Sequence, residues 1–193
     1  MTTLSDLIHA RRSVYHIGTN TEHTAESVAD ALRGIITRLP SAMNSQTTRL
    51  VVVSGDNNTK VWDSIHSDQK GALSPDMYER FAPRFTQAKQ GLGTVLLFES
   101  RTAVENMGLN PARSEIYKEN NHAITALAVW LQLTELGLGT SLQHFNVGYE
   151  SGIRELLGLP DDFEMLAQMP FGSIETPGAD KPALDPNERV ILA

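Results

Sequence analysis

Cysteine is absent from the 193-residue chain. That excludes disulfides, thiolate metal ligands and a cysteine nucleophile, and since nothing requires an oxidising compartment a cytoplasmic protein is expected. Long apolar runs are also missing. No stretch of about 18 uncharged apolar residues occurs, and the N-terminus has no basic segment leading into an apolar one, so neither a membrane span nor a signal peptide is expected. Positive charge is scarce: 16 Lys and Arg against 23 Asp and Glu give a net charge of −7. Non-specific attraction to nucleic acid or anionic membrane is thereby disfavoured. The glycine pairs Gly91-Leu-Gly93 and Gly137-Leu-Gly139 each lack the third glycine of a dinucleotide-binding turn. Walker A and Gly-x-Ser-x-Gly are missing, and the histidines form no pair at ligand spacing, so a Rossmann domain, serine hydrolysis and a bound metal lack support.

What is present suits one folded domain over residues 1–193, with 40% hydrophobic and 20% charged residues. Thr2 or Thr3 can cap a first helix carrying Leu4, Leu7 and Ile8. Thr24 can cap a second, with Val28, Leu32, Ile35, Ile36 and Leu39 at helical spacing up to Pro40. A polar loop, residues 40–48, then feeds a β-branched strand over 49–54. Residues 57–70 and 75–90 read as helices burying Trp62, Ile65, Tyr78, Phe81 and Phe85, followed by a strand over 94–99. Residues 114–136 form the longest helical pattern, and its uncharged middle, Ala123 to Leu133, predicts a central buried helix. Strands are expected over 140–145 and 163–171, with a short amphipathic helix over 149–157 between them. The proline-bearing residues from 175 onward predict an extended arm ending in a short edge strand, 189–192. With about four to five strands among more numerous helices, the class is α+β or α/β.

Three constellations suit an anionic, aromatic ligand. Arg11-Arg12-Ser13 offers two guanidinium forks and a hydroxyl at a helix exit, which suits a phosphate, although the same residues would also offset a helix dipole. Pro40-Ser-Ala-Met-Asn44-Ser-Gln46 sets two amides in one loop, able to donate and accept along a heterocycle's edge or merely to make turns. Gly137-Leu-Gly139-Thr-Ser-Leu142-Gln143-His144 joins the long helix to a strand, where backbone donors can face a ligand and His144 is either site or scaffold.

Taken in order, and completed by Gln168-Met-Pro-Phe-Gly172 and a proline-rich tail with Arg189, these segments resemble the nitroreductase family of flavin mononucleotide (FMN) enzymes. Leu142-Gln143-His144 is most similar to its short fungal and bacterial branch, typified by a yeast regulator of fatty-acid signalling. The resemblance implies an α+β fold with a mixed central sheet wrapped by helices, and a homodimer exchanging its C-terminal arms. It implies an FMN site in which Arg11, Ser13 and Arg189 hold the phosphate with Arg12 nearby. Asn44 and Gln46 would meet the ribityl chain and ring, and the backbone around Leu142, Gln143, His144 and Phe145 would lie at the flavin edge. The implied activity passes hydride from NADH or NADPH to a nitroaromatic or quinone acceptor by a ping-pong cycle. The chemistry is on the flavin, so no catalytic side chain is expected. A flavin-binding regulator or store with little turnover is the alternative. Tyr15 departs from the pattern, standing where many relatives place Lys or Arg near the reduced flavin's charge.

Overall fold

The centre of the molecule follows from one strand that has no polar face. In a computed structural model describing residues 3–146 and 150–192, Gly93–Ser100 is buried at every position. Such a strand needs an apolar layer on each side and a paired neighbour on each edge. In chain order the elements are α1 (Leu4–Ala10), β1 (Ile17–Gly18), α2 (Ala25–Ile36), a single 3-10 turn (Ala42–Asn44) and β2 (Thr48–Ser54). There follow α3 (Gly55–Ala72), α4 (Pro75–Gln90), β3 (Gly93–Ser100), α5 (Arg101–Glu105) and α6 (Pro111–Glu135). The last are β4 (Gly139–Thr140), α7 (Glu150–Leu157), β5 (Phe163–Ile174) and α8 (Pro186–Arg189).

The sheet runs β1-β5-β3-β2, with β4 also on β5. Its ladders are antiparallel, and the parallel component is the bridge between Ser13 and Thr140. Alternation along β3 sends Leu96 and Phe98 into one core with Trp62, Ile65, Phe85 and Ile153 of α3, α4 and α7. Val95 and Leu97 enter the other, with Val28 and Leu32 of α2 and Val129 and Leu133 of α6. Helices therefore cover both faces, as the α+β reading predicts. Thr2, one of the two caps expected for the first helix, and Tyr149, the expected start of the helix over 149–157, lie outside the described residues.

Several expectations are corrected. The α2 pattern ends at Ile36 rather than running through Leu39, because Pro40 disfavours helical backbone at the residue before it. The strand expected over 140–145 is confined to Gly139–Thr140. Beyond it the Gln168 side chain replaces the ladder, accepting from the Phe145 N–H at 2.9 Å and donating to Asn146 Oδ1 at 2.6 Å. The edge strand expected over 189–192 is absent: Pro186–Arg189 is one helical turn capped by Asp185, proline being preorganised for the first helical position. Val190, Ile191 and Leu192 are 78%, 79% and 100% exposed. The middle of α6 is buried on one face only, since Ile124 and Leu127 stand exposed, as do Ile116 nearer its start and Leu4 and Ile8 of α1.

Candidate functional site

The α1 helix is closed at its start by a reciprocal cap, with the Thr3 hydroxyl accepting from the Asp6 N–H and the Asp6 carboxylate accepting from the Thr3 N–H at 2.9 Å. That fixes where its basic exit emerges. Val14 donates its N–H to the Thr140 carbonyl at 2.9 Å, tying the exit to β4. The Arg11 guanidinium lies over the Trp130 ring of α6, 4.5 Å from its centroid. Arg12 instead donates to the His9 and Arg11 carbonyls at 2.8 and 2.9 Å, so it serves largely as a helix-end cap. The tail passes over this segment at Gly178, where a Cβ would stand 2.7 Å from Arg12 Cβ and 2.8 Å from the Ser13 carbonyl oxygen. Only glycine fits that crossing.

Between these parts lies a cleft of about 480 Å³, lined by Arg11, Arg12, Ser13, Tyr15, Trp130 and Lys181 among others. No Asp or Glu lines it, although the chain carries a net charge of −7. The buried indole N–H of Trp130 has no acceptor among the described residues. The cleft offers cations, a hydroxyl and two aromatic rings to one ligand.

Asn44 and Gln46 stand elsewhere. Their loop is strained, with Met43, Asn44 and Gln46 at φ of 57°, 54° and 46°, backbone that costs side-chain-bearing residues about 1 kcal/mol or more each. Asn121, buried in α6, holds it. Its Oδ1 accepts from the Ala42 N–H at 2.8 Å, and its Nδ2 donates to Ser45 Oγ at 3.0 Å and Thr47 Oγ1 at 2.9 Å. Gln46 Nε2 donates to Asn44 Oδ1 at 3.2 Å, pairing the two amides at the surface. Beneath the loop, the Thr48 hydroxyl donates to the buried Glu99 carboxyl at 2.6 Å. Burial, outweighing its threonine hydrogen bonds, pushes the Glu99 pKa up. Burial likewise pulls His122 down; its ring stands 6.4 Å from that of His144.

Of the segment 142–145, Gln143 is buried and exchanges both backbone hydrogen bonds with Gln168, at 2.8 and 2.9 Å. The Phe145 N–H is taken by the Gln168 side chain. Of the amides at 143, 144 and 145, the one left without a partner among the described residues is that of His144. Leu142 is half-buried and packs against the α6-side core.

Within one chain, then, Arg11, Arg12, Ser13 and Tyr15 share a cleft, whereas Gln46 lines a separate depression with Asn121 and Arg189 lines neither. Trp130 and Asn121 mark the two places on α6, nine residues or about 13 Å apart along the axis. Sequence reasoning passed over Trp130, Asn121 and Gly178. An asparagine within an apolar helix was the available sign for one of them. Among the described residues no cluster of three metal-ligating side chains forms, and no helix is long and apolar enough to cross a membrane.

Comparison with known proteins gives a consistent answer. The family model described as the Nitroreductase family matches residues 8–173. The chain is 27% identical over 178 residues to the Saccharomyces cerevisiae protein HBN1, covering 89% of this chain and 88% of that one. Its structure is similar to nitroreductase CinD from Lactococcus lactis, solved in complex with chloramphenicol: TM-score 0.87 and 31% identity, covering 99% of this chain and 100% of that one. It also shares the fold of an Exiguobacterium sibiricum protein solved in complex with FMN, at TM-score 0.73 and 16% identity, covering 100% of this chain and 98% of that one.

Proposed function

The chain belongs to the nitroreductase family, and from that premise we propose that it is an FMN-dependent oxidoreductase, working as a homodimer with one cofactor per chain. The observation that carries this is the cleft beside Arg11, cationic and aromatic in an acidic protein. Its donor set fits FMN: Arg11 and Ser13 for the phosphate, with Arg12 and Lys181 adding charge, and Trp130 holding Arg11 in place. The His144 N–H is the backbone donor left to meet the ring edge. When bound, FMN would supply the two-electron chemistry, taken from NADH or NADPH and given to a nitroaromatic or quinone acceptor in a second, ping-pong half-reaction.

The exposed apolar face of α6 and α1 gives the dimer its reason. A two-fold axis is self-complementary, and if it crosses α6 midway between Ile124 and Leu127, position 121 of one copy faces position 130 of the other. The strained loop bearing Asn44 and Gln46 then reaches the rim of the neighbouring cleft, uniting two half-sites that lie apart in one chain. The exposed tip after Arg189 would find its apolar cover on the same partner.

The test is the visible spectrum of the purified protein, then anaerobic addition of NADH or NADPH. A yellow protein holding one FMN per chain and bleached by either nicotinamide is expected. A colourless protein that ignores micromolar FMN defeats the proposal, and a yellow one that neither nicotinamide bleaches points to flavin storage or regulation.

A further inference from the structure

Arg84 of α4 is a cation without an anion. Its guanidinium stands 4.4 Å from the centroid of the Tyr15 ring and 4.9 Å from that of Phe81. No carboxylate of the described residues pairs with it. A half-buried guanidinium held on two rings is fixed in place by cation–π attraction, yet its charge is left uncompensated. Tyr15 is one of the walls of the phosphate-type cleft. Gln87, one turn along α4 from Arg84, reaches the ring of His16, another wall, at 3.4 Å. Arg84 and Gln87 therefore back two walls of the cleft, Tyr15 and His16, from behind, without lining it themselves.

The geometry points to Arg84 as the residue that receives the negative charge of a reduced cofactor ring. The inference rests on the FMN reading above. Arg11 and Ser13 claim the phosphate, so the ring lies toward Tyr15. Two electrons and one proton entering that ring leave it with one more negative charge than before. A fixed guanidinium stabilises the reduced form more than the oxidised one, and so raises the reduction potential. Arg80, one turn earlier and 5.8 Å from Phe81 but not over Tyr15, supplies an internal control on the same helix.

The experiment measures the midpoint potential of FMN bound to the full chain, by equilibration with a reference dye, together with the affinity for oxidised FMN. Arg84→Gln is expected to lower the reduced-to-oxidised affinity ratio about tenfold, about 30 mV for a two-electron couple, while changing oxidised affinity less than about threefold. Arg84→Lys should keep the potential, Arg80→Gln should leave it alone, and Tyr15→Lys placed in the Arg84→Gln background should restore it. Should Arg84→Gln not fold, Arg84→Met carries the same test. An unchanged potential in the charge-removing variant, an equal shift from Arg80→Gln, or no restoration by lysine overturns the assignment. Failure of the unmutated protein to take up FMN is a different result, seen before any variant is made, and it defeats the flavin reading itself.

Discussion

Two segments whose regular structure is a single helical turn carry predicted site residues, and they are held in opposite ways. The loop from Ser41 to Thr47 keeps three residues at positive φ, and one side chain, Asn121, compensates with hydrogen bonds at 2.8, 3.0 and 2.9 Å. The tail beyond Lys181 has no positive φ to offset, yet none of the described residues covers Val190, Ile191 and Leu192. The loop is thus specified from within the subunit, whereas the tail needs something outside it. On the homodimer proposal, that difference separates what one chain organises alone from what a second copy would complete.

Removing the unsupported segment should have the largest effect. Deleting residues 182–193 leaves the Gly178 crossing in place, and is expected to weaken dimerisation and FMN binding together, the latter by about a hundredfold, read by light scattering and flavin titration. A truncated chain that remains dimeric with full affinity would remove Arg189 from the site and erase the contrast. Next comes the clamp. Asn121→Ala frees the strained loop, leaves the Ala42 N–H unpaired and takes the amide donor from Ser45 and Thr47, at a cost of about 2–4 kcal/mol, measured by urea unfolding. A loss under about 0.5 kcal/mol would mean that the loop holds its own shape.

Arg11→Ala sharpens the comparison on the cleft side, lowering FMN affinity about ten- to a hundredfold, equivalent to about 1.5–3 kcal/mol, with little change in unfolding midpoint. Arg33→Ala is the control, because that side chain pairs with Asp30 at 2.5 Å on an exposed face and should leave the titration unaltered. The smallest effect concerns Glu99 beneath the loop. Its folded pKa lies above 4.5, so between that value and the raised one the native state keeps a proton that the unfolded chain has released. Stability attributable to this carboxyl therefore falls as pH rises through the window. Glu99→Gln should melt with the native protein below pH 4.5 and progressively above it toward neutrality. Parallel melting curves across that range would show the carboxyl to be compensated in the fold.

The elements with strong periodicity were readable in the sequence because one physical rule decided each. Thr24 caps α2, the run 49–54 is a strand, and 114–136 is helical for reasons contained within a few residues. The failures lie where distant groups intervene. No local rule foretells that Gln168, more than twenty residues downstream, takes the Gln143 N–H on its carbonyl and the Phe145 N–H on its side-chain amide. Nor does the uncharged stretch of α6 reveal that only one side of it has a partner within the chain. The same holds for the site: Arg11 and Ser13 were legible as a motif, but the platform under Arg11 and the asparagine under the loop belong to α6, about 80 to 120 residues away in a helix read as plain core.

The pairing of β3 with β5 has a consequence for how the protein is made. Its register joins Ser100 to Phe163 and Gly93 to Phe171, separations of 63 and 78 residues (163 − 100 and 171 − 93). At a synthesis rate of about 5–20 residues per second, the wait between the two strands leaving the ribosome is roughly 3–16 s. Throughout it β3 carries an open edge, and its Val95 and Leu97 face lacks cover from α6 until that helix follows, whereas Leu96 and Phe98 face α3 and α4, which are already made. A nascent chain halted near residue 160 should therefore bind chaperones and associate with its own kind, and one halted past the end of β5 should not.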